Sequence, residues 1–394
     1  MRRYYPTLVI LLTVIALLLR LAYVWTTDTQ TLSHDERNYS EQAIRLIEQG
    51  VYSYLSDEPN ARVTPGYPLV VAAIYKAVGY KPLDRALFAV RILQCILGAV
   101  AVILMYLLGH ELFNKETGML AAVLVAFYPT YIWSPWLLTT ETLFLTVLLG
   151  LLYYQARILR TNQLRYHMAA GLLLAFAVLI RPNVLPLAVI PYVFLWFRDR
   201  RLYAREIMIG MLSFASLMLP WWIRNALTLH EFIFTAKGGA GNPFLAGTDP
   251  YFRGTIDWAE AQKGNQLKEG LHRLSKGLRE DPLLWIRWFT IGKFRVFFKT
   301  PHLTLPSPFA AIFVWLHLIF AWVGWISLLT FRNRSVRFLC VSLLVFLGIH
   351  MMFIPVTRYT YGMYPFLMLG FASAVTGIWN RYWDTRTPFR KGYL

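Results

Sequence analysis

The feature that most constrains this chain is a series of long apolar runs separated by short, mostly basic connections. They are centred on about residues 7–25, 86–109, 118–134, 138–156, 168–180, 184–197, 207–223, 309–330, 338–354 and 359–379. A helix rises 1.5 Å per residue, so about 20 apolar residues cross a hydrocarbon core of ~30 Å. Most of the runs reach that length, and about ten spans are expected. Because backbone groups in hydrocarbon must be satisfied within the element, the spans are expected to be helices. The composition agrees, with 57% hydrophobic and 15% charged residues among 394, too apolar for an ordinary soluble domain. The fold class expected is an all-α polytopic membrane protein, read as a single membrane domain over residues 1–394. The first run follows Arg2 and Arg3 and ends in Arg20-Leu21-Ala22-Tyr23 with no small-residue cleavage site, so it is read as a retained anchor.

A net charge of +18 would suggest nucleic acid in a soluble protein, so the positions of the basic residues decide its meaning. With the N-terminus inside, alternate connections carry Lys115; Arg157, Arg160 and Arg165; Arg198, Arg200, Arg201 and Arg205; Arg332, Arg334 and Arg337; and Arg381, Arg386, Arg390 and Lys391. This is the positive-inside pattern. The basic excess is therefore topogenic, nucleic acid is excluded as a partner, and both termini are expected in the cytoplasm. Most carboxylates fall on the other face, with Glu111, Glu116, Asp199, Glu206 and Asp384 inside. Cys95 and Cys340 both lie within apolar runs and read as small buried hydrophobes.

Two non-cytoplasmic segments are long, residues 26–85 and 224–308. Connections of that size carry structure or function. The first contains Ser-His-Asp-Glu-Arg-Asn-Tyr at residues 33–39. Ser33 and Glu36 have capping-box spacing, which gives Glu36 a structural role at a helix start. Tyr39, Ala43, Leu46 and Ile47 then share one helical face, and Gly50 is a stop signal. The pattern predicts a short amphipathic helix in the membrane interface, followed by a second apolar segment after the Pro65-Gly66 turn and bounded by Gly79. The box does not need Asp35, and adjacent helical positions point about 100° apart, so Asp35 is free for chemistry. The plainer alternative is that acidic residues favour any helix N-terminus.

An N-terminal span, an Asp-Glu pair just outside it, interfacial segments and a polytopic remainder resemble the GT-C superfamily of lipid-phosphate-sugar-dependent glycosyltransferases. Within it the chain is most similar to bacterial relatives of the protein O-mannosyltransferases and aminoarabinose transferases (family 39). The resemblance rests on TPGYPLVVAAIY, VRILQCILGAVAVILMYLLGHELF running into GMLAAVLVAFYPTYI, LIRPNVLPL, PWWIRNALTLHEFIFTAKGGAGNPFLAGTDP and TRYTYGMYPFLML, in that order over nearly the whole chain. One departure is that the family's Asn-Gly-Gly-x-Asn run stands here as Lys237-Gly238-Gly239-Ala240-Gly241-Asn242. The resemblance implies a bundle of about ten helices with interfacial helices in the first outer loop. It also implies transfer of a hexosyl or pentosyl unit, with inversion, from a polyprenyl-phosphate donor to a hydroxyl of a protein, lipid or polysaccharide. The site would face away from the cytoplasm, in a bacterial inner membrane.

The same resemblance leads to a second acidic position in the next outer loop. Glu141 is the only carboxylate between Glu116 and Asp199; its plainer reading is a capped helix start after Thr139 or Thr140. A sugar phosphate already carries its leaving group, so one base and phosphate-binding cations suffice. Asp35 is the expected base, and Glu141 an acceptor-orienting or metal-holding partner. Arg358, Arg181, Arg224 and Lys237, with Tyr359, are the candidates for donor phosphate or substrate, against the alternative that arginines snorkel to lipid headgroups. A divalent metal held by Asp35, Glu141 and His230 is left open, while His302 and His350 lie in no zinc-like spacing. The reading from a different class, a transporter or flippase, calls for repeated halves and midplane charges, and no internal repeat is visible.

Overall fold

The computed structural model describes residues 5–27, 32–239, 241–303, 309–330 and 333–383, with side chains to residue 380. Ala240, Arg332, Asp384, Arg386, Arg390 and Lys391, and the side chain of Arg381, lie outside the described residues. The described residues form helices and no strand. In chain order these are α1 (Tyr5–Thr26), α2 (His34–Gln49), α3 (Gly66–Val78), α4 (Leu83–Leu112), α5 (Lys115–Phe127), α6 (Pro129–Trp133), α7 (Glu141–Thr161), α8 (Leu164–Ile180), α9 (Ile190–Asp199) and α10 (Ala204–Leu229). The second long connection carries α11 (Gly241–Ala246), α12 (Trp258–Ala261), α13 (Gln266–Glu280), α14 (Pro282–Arg287) and α15 (Lys293–Lys299), and the chain continues with α16 (Phe309–Thr330), α17 (Arg334–Met351) and α18 (Tyr364–Trp383).

Each of the ten apolar runs is helical, but among the described residues only six helices are long and apolar enough to cross a membrane. Counting α5 with the bent segment Pro129–Trp136 gives up to seven. The difference has local causes. The run at 168–180 forms α8, of 17 residues, which stops because the ring of Pro182 disfavours helical backbone at Arg181. The next run begins as a 3-10 segment, Pro182–Val189, with Pro186 inside it, and leaves only ten residues for α9.

One continuous apolar core joins most of the helices, while residues such as Ile10, Met211, Leu212 and Trp315 are left exposed to lipid. Small residues set the closest approaches, as expected where lipid offers no hydrophobic drive between helices. A Cβ added at Gly171 of α8 would stand 2.3 Å from the Gly210 carbonyl oxygen of α10, and one at Gly324 of α16 would stand 2.4 Å from the Leu367 carbonyl oxygen of α18. Arg20 is fully buried in α1 and donates to the carbonyls of Ala16, Val125 and Ala126, clamping α1 to the end of α5. Arg91 of α4 donates to the Trp136 carbonyl at 2.8 Å. Arg20 thus satisfies backbone left open at the end of α5, and Arg91 backbone at the far end of the bent segment that follows it.

These contacts gather one set of ends. The start of α2, the start of α7, the end of α8 and the Thr357–Gly362 turn before α18 meet at one end of the bundle, where the helices of both long connections also pack. Glu36 secures part of this junction. Its carboxylate accepts from the Ser33 N–H at 3.3 Å and hydroxyl at 3.0 Å, and on its other oxygen from the Leu138 N–H at 3.0 Å. The box residue thus ties α2 to the loop leading into Glu141.

Candidate active site

Four charged side chains, far apart in sequence, form one chain of contacts. Asp35 enters from the first turn of α2, and its Oδ2 accepts from Arg358 Nη1 at 2.7 Å. The Tyr54 hydroxyl donates to Asp35 Oδ1 at 3.3 Å. Arg358 also donates through Nε to Glu141 Oε1, the first residue of α7. The same Oε1 accepts from Arg181 Nη2 at 2.6 Å. Arg181 donates further to the Thr140 hydroxyl oxygen, from Nε at 3.0 Å and Nη2 at 2.7 Å. The order is therefore Asp35, Arg358, Glu141, Arg181: two negative and two positive charges in alternation.

Local sequence explains the placement. Arg181 is the residue before Pro182 and is held extended, φ −146° and ψ 107°, which turns its side chain away from the α8 helical path. Arg358 rides on a 3-10 turn, Thr357–Gly362. The two carboxylates differ in exposure: the Asp35 side chain is 42% exposed and the Glu141 side chain 3%. A buried carboxylate stays charged only when paired and hydrogen-bonded, and Glu141 has both arginines. In turn its charge, ahead of burial, which opposes, raises the pKa of Arg358 further above the usual arginine value. Burial raises the Tyr54 phenol, which stays protonated as a donor to Asp35. Arg358 Nη2 and Arg181 Nη1 make no hydrogen bond among the described residues, so each guanidinium retains donors for an incoming anion.

The other residues singled out in the sequence lie as follows. Glu36 sits beneath Asp35 in the contacts described above. The Tyr359 ring lies 5.3 Å from that of His350, whose Nε2 accepts from Asn183 at 2.7 Å. His302 Nδ1 lies 3.4 Å from the Thr357 hydroxyl, beside Arg358; burial lowers its pKa, with the charge of Glu141 opposing. Arg224 is occupied elsewhere: it donates to the carbonyls of Asn60 and Tyr52 at 3.0 and 2.8 Å and stacks on Tyr52 and Trp221. The Lys237 ammonium pairs with Glu231 on the surface, while its backbone N–H bonds the Ala61 carbonyl. Both residues hold the two long connections together.

A metal held by Asp35, Glu141 and His230 does not fit this arrangement. The Arg358 guanidinium bridges the two carboxylates, and His230 is an exposed left-handed cap at the end of α10. Among the described residues no three His, Cys, Asp or Glu side chains gather to hold a metal ion. Sequence reading missed two contributors. Thr140 appears there only as a helix cap, yet its side chain caps nothing and accepts from Arg181. Tyr54 lies 19 residues from Asp35 in a loop with no periodicity, so no local signal marks it.

Comparison with known proteins follows the same lines. Residues 64–223 match the family model described as dolichyl-phosphate-mannose-protein mannosyltransferase. No curated protein matches the chain. Among solved structures, the oligosaccharyltransferase AglB of Archaeoglobus fulgidus, in complex with an inhibitory peptide and a dolichol-phosphate, superposes with a TM-score of 0.59 at 13% identity, covering 100% of this chain and 53% of that one. ArnT of Cupriavidus metallidurans bound to undecaprenyl phosphate gives a TM-score of 0.50 at 15% identity, covering 94% and 78%. The chain thus spans about half the length of the archaeal enzyme, and at these identities the likeness is one of fold. The chain thus shares the fold of AglB and ArnT, and its residues 64–223 are similar to the dolichyl-phosphate-mannose-protein mannosyltransferase family.

Proposed function

We propose that the protein transfers a sugar from a polyprenyl-phosphate donor to an acceptor hydroxyl, with Asp35 as general base and Arg358 and Arg181 as the phosphate-binding pair. The observation that carries this reading is the bridge made by Arg358 between an exposed carboxylate and a buried one. Only Asp35 is open enough for an acceptor to reach. Glu141, closed off and shared by two guanidinium groups, acts in this reading as the positioning residue that aims them.

In the proposed step the acceptor hydroxyl gives its proton to Asp35 while its oxygen bonds the anomeric carbon. The bond from that carbon to the phosphate oxygen breaks, its electron pair stays on phosphate, and polyprenyl phosphate leaves. One displacement inverts the anomeric centre. Charge on the phosphate oxygen grows as the bond breaks, so the free donors of Arg358 and Arg181 gain strength in the transition state. Phosphate and Asp35 compete for Arg358, so donor binding loosens Asp35 from its ion pair as the base is needed. The lipid phosphates named with AglB and ArnT support a donor of this chemistry.

The reading puts the site on the non-cytoplasmic face of a bacterial plasma membrane. Its support is the basic residues at the opposite end of the bundle, including Arg157 and Arg160 on Glu111 and the run Arg198 to Arg201. Mass spectrometry of lipids from cells lacking the protein tests the function. A polyprenyl-phosphate sugar is expected to accumulate and to disappear on complementation with the wild type but not with Asp35→Asn. An unchanged polyprenyl lipid profile would overturn the reading.

A further inference from the structure

The second long connection carries a groove that the proposed reaction does not use. Arg253, Arg287 and Arg295 line a cavity of about 480 Å³ together with Asp281, Leu283 and Ile291. Among the described residues none of the three arginines forms an ion pair. The one carboxylate in the groove is engaged in structure, since Asp281 caps α14 by accepting from the Leu284 N–H at 3.1 Å. Three exposed guanidinium groups share one cavity with a single carboxylate, which leaves an excess of positive charge there for a further anion to offset.

The groove is built rather than loose. Trp288, fully buried behind it, donates to the Gly247 carbonyl at 2.9 Å. Tyr251 and Phe252 pack on that indole with ring centroids at 5.0 and 5.6 Å. Both have positive φ, 58° and 56°, a backbone that side-chain-bearing residues adopt only when their surroundings impose it. That strained turn delivers Arg253 to the cavity.

Two further features give the anion's identity. Leu283, Ile286 and Ile291 are 75%, 56% and 53% exposed alongside Arg287 and Arg295, an apolar strip flanked by cations that suits a lipid interface. Depth agrees: Lys293, next to Gly292 of the groove, donates to the carbonyls of Met351 and Phe353 at 2.8 and 3.0 Å, at the end of the membrane-crossing helix α17. The groove therefore sits at the level of the end of α17, a helix long and apolar enough to cross a membrane.

We propose that Arg253, Arg287 and Arg295 bind the phosphate headgroup of an anionic membrane phospholipid, whose acyl chains lie along Leu283, Ile286 and Ile291. The lipid would fasten α14 and α15 to the bilayer. Guanidinium forks bind phosphate in a bidentate manner, and the headgroup neutralises the arginine cluster.

Native mass spectrometry of the purified full chain, titrated with phosphatidylglycerol in detergent, tests this. The wild type is expected to retain one tightly held lipid, and Arg287→Gln with Arg295→Gln to bind it at least ~10-fold more weakly. Leu283→Asn keeps every arginine and is expected to weaken the lipid as well. All three proteins should elute as single species, because the altered residues are exposed. Phosphatidylcholine should bind less tightly than phosphatidylglycerol, and millimolar inorganic phosphate should not displace the lipid. Equal retention by wild type and the double variant would overturn the site. Displacement by inorganic phosphate would show a pocket for soluble anions, and equal binding of phosphatidylcholine would remove the requirement for an anionic lipid; either result overturns the proposal.

Discussion

Arg358 donates to two carboxylates of unlike exposure, and this asymmetry separates their roles. Asp35→Asn keeps the shape beside Arg358 and removes the proposed base, so transfer is expected to fall by at least ~10²-fold with membrane expression unchanged. Glu36→Gln keeps one acceptor oxygen for the Leu138 N–H, while its amide nitrogen can donate to the Ser33 hydroxyl, and it is expected to be milder; the two rates, measured side by side, check this, and equal small losses would make Asp35 a structural acid. Arg358→Lys retains charge but loses the fork that spans Asp35 and Glu141 and, in the proposed reaction, reaches the phosphate. It is expected to lower both turnover and apparent donor affinity in a donor titration, whereas an arginine that merely snorkels would tolerate lysine. Much at this scale was legible in sequence: Glu36 could be separated from Asp35 by helix spacing alone. That Arg224 serves backbone carbonyls while Arg181 serves Glu141 was not, because both are arginines at helix ends and only their neighbours in space differ.

The segments that carry the site are held by single side chains between elements. Lys293 of α15 is fully buried, with its Nζ on the Met351 and Phe353 carbonyls, and so fixes the second long connection to the stretch that leads into Arg358. Burial pushes its pKa down to about 7. Between that value and about 10.4 in the unfolded chain, the unfolded state holds a proton that the folded state lacks. Stability should therefore rise with pH across this window and be flat below it. Thermal unfolding of the purified protein at pH 6, 8 and 9.5 is expected to show that rise in the wild type and its loss in Lys293→Met. The variant should also lose about 1–3 kcal/mol at pH 9.5, with two carbonyls left unpaired. The same slope in both proteins would exclude Lys293 as its source. Helix boundaries at this scale were legible where a residue type dictates them, as at Pro182 after α8. The 3-10 entry to α9 was not, since apolar composition alone does not distinguish a broken helix from a continuous one.

At the scale of the whole molecule, the proposed orientation makes a direct prediction. With Cys95 and Cys340 replaced by alanine, cysteines placed at Asp57 and Gly264 are expected to react with an impermeant thiol reagent applied outside the cell. One at Leu202, which is exposed at the opposite end of the bundle, should react only after the membrane is opened. Reversed labelling would move the site to the cytoplasmic face.

By itself the sequence determined the solvent of this protein and its helical class. Each of these follows from local composition: apolar length specifies a span, and Ser33 with Glu36 specifies a helix start. Only the tertiary structure decided which charges meet. Positions 35, 141, 181 and 358 are joined by no sequence period, and the choice of Arg181 and Arg358 over Arg224 and Lys237 depends on how α2, α7, α8 and the turn before α18 converge. The physical reason is that spans are specified by transfer of each segment into lipid, one at a time, whereas an ion-pair chain is specified by distances of a few ångströms that exist only after the helices have packed.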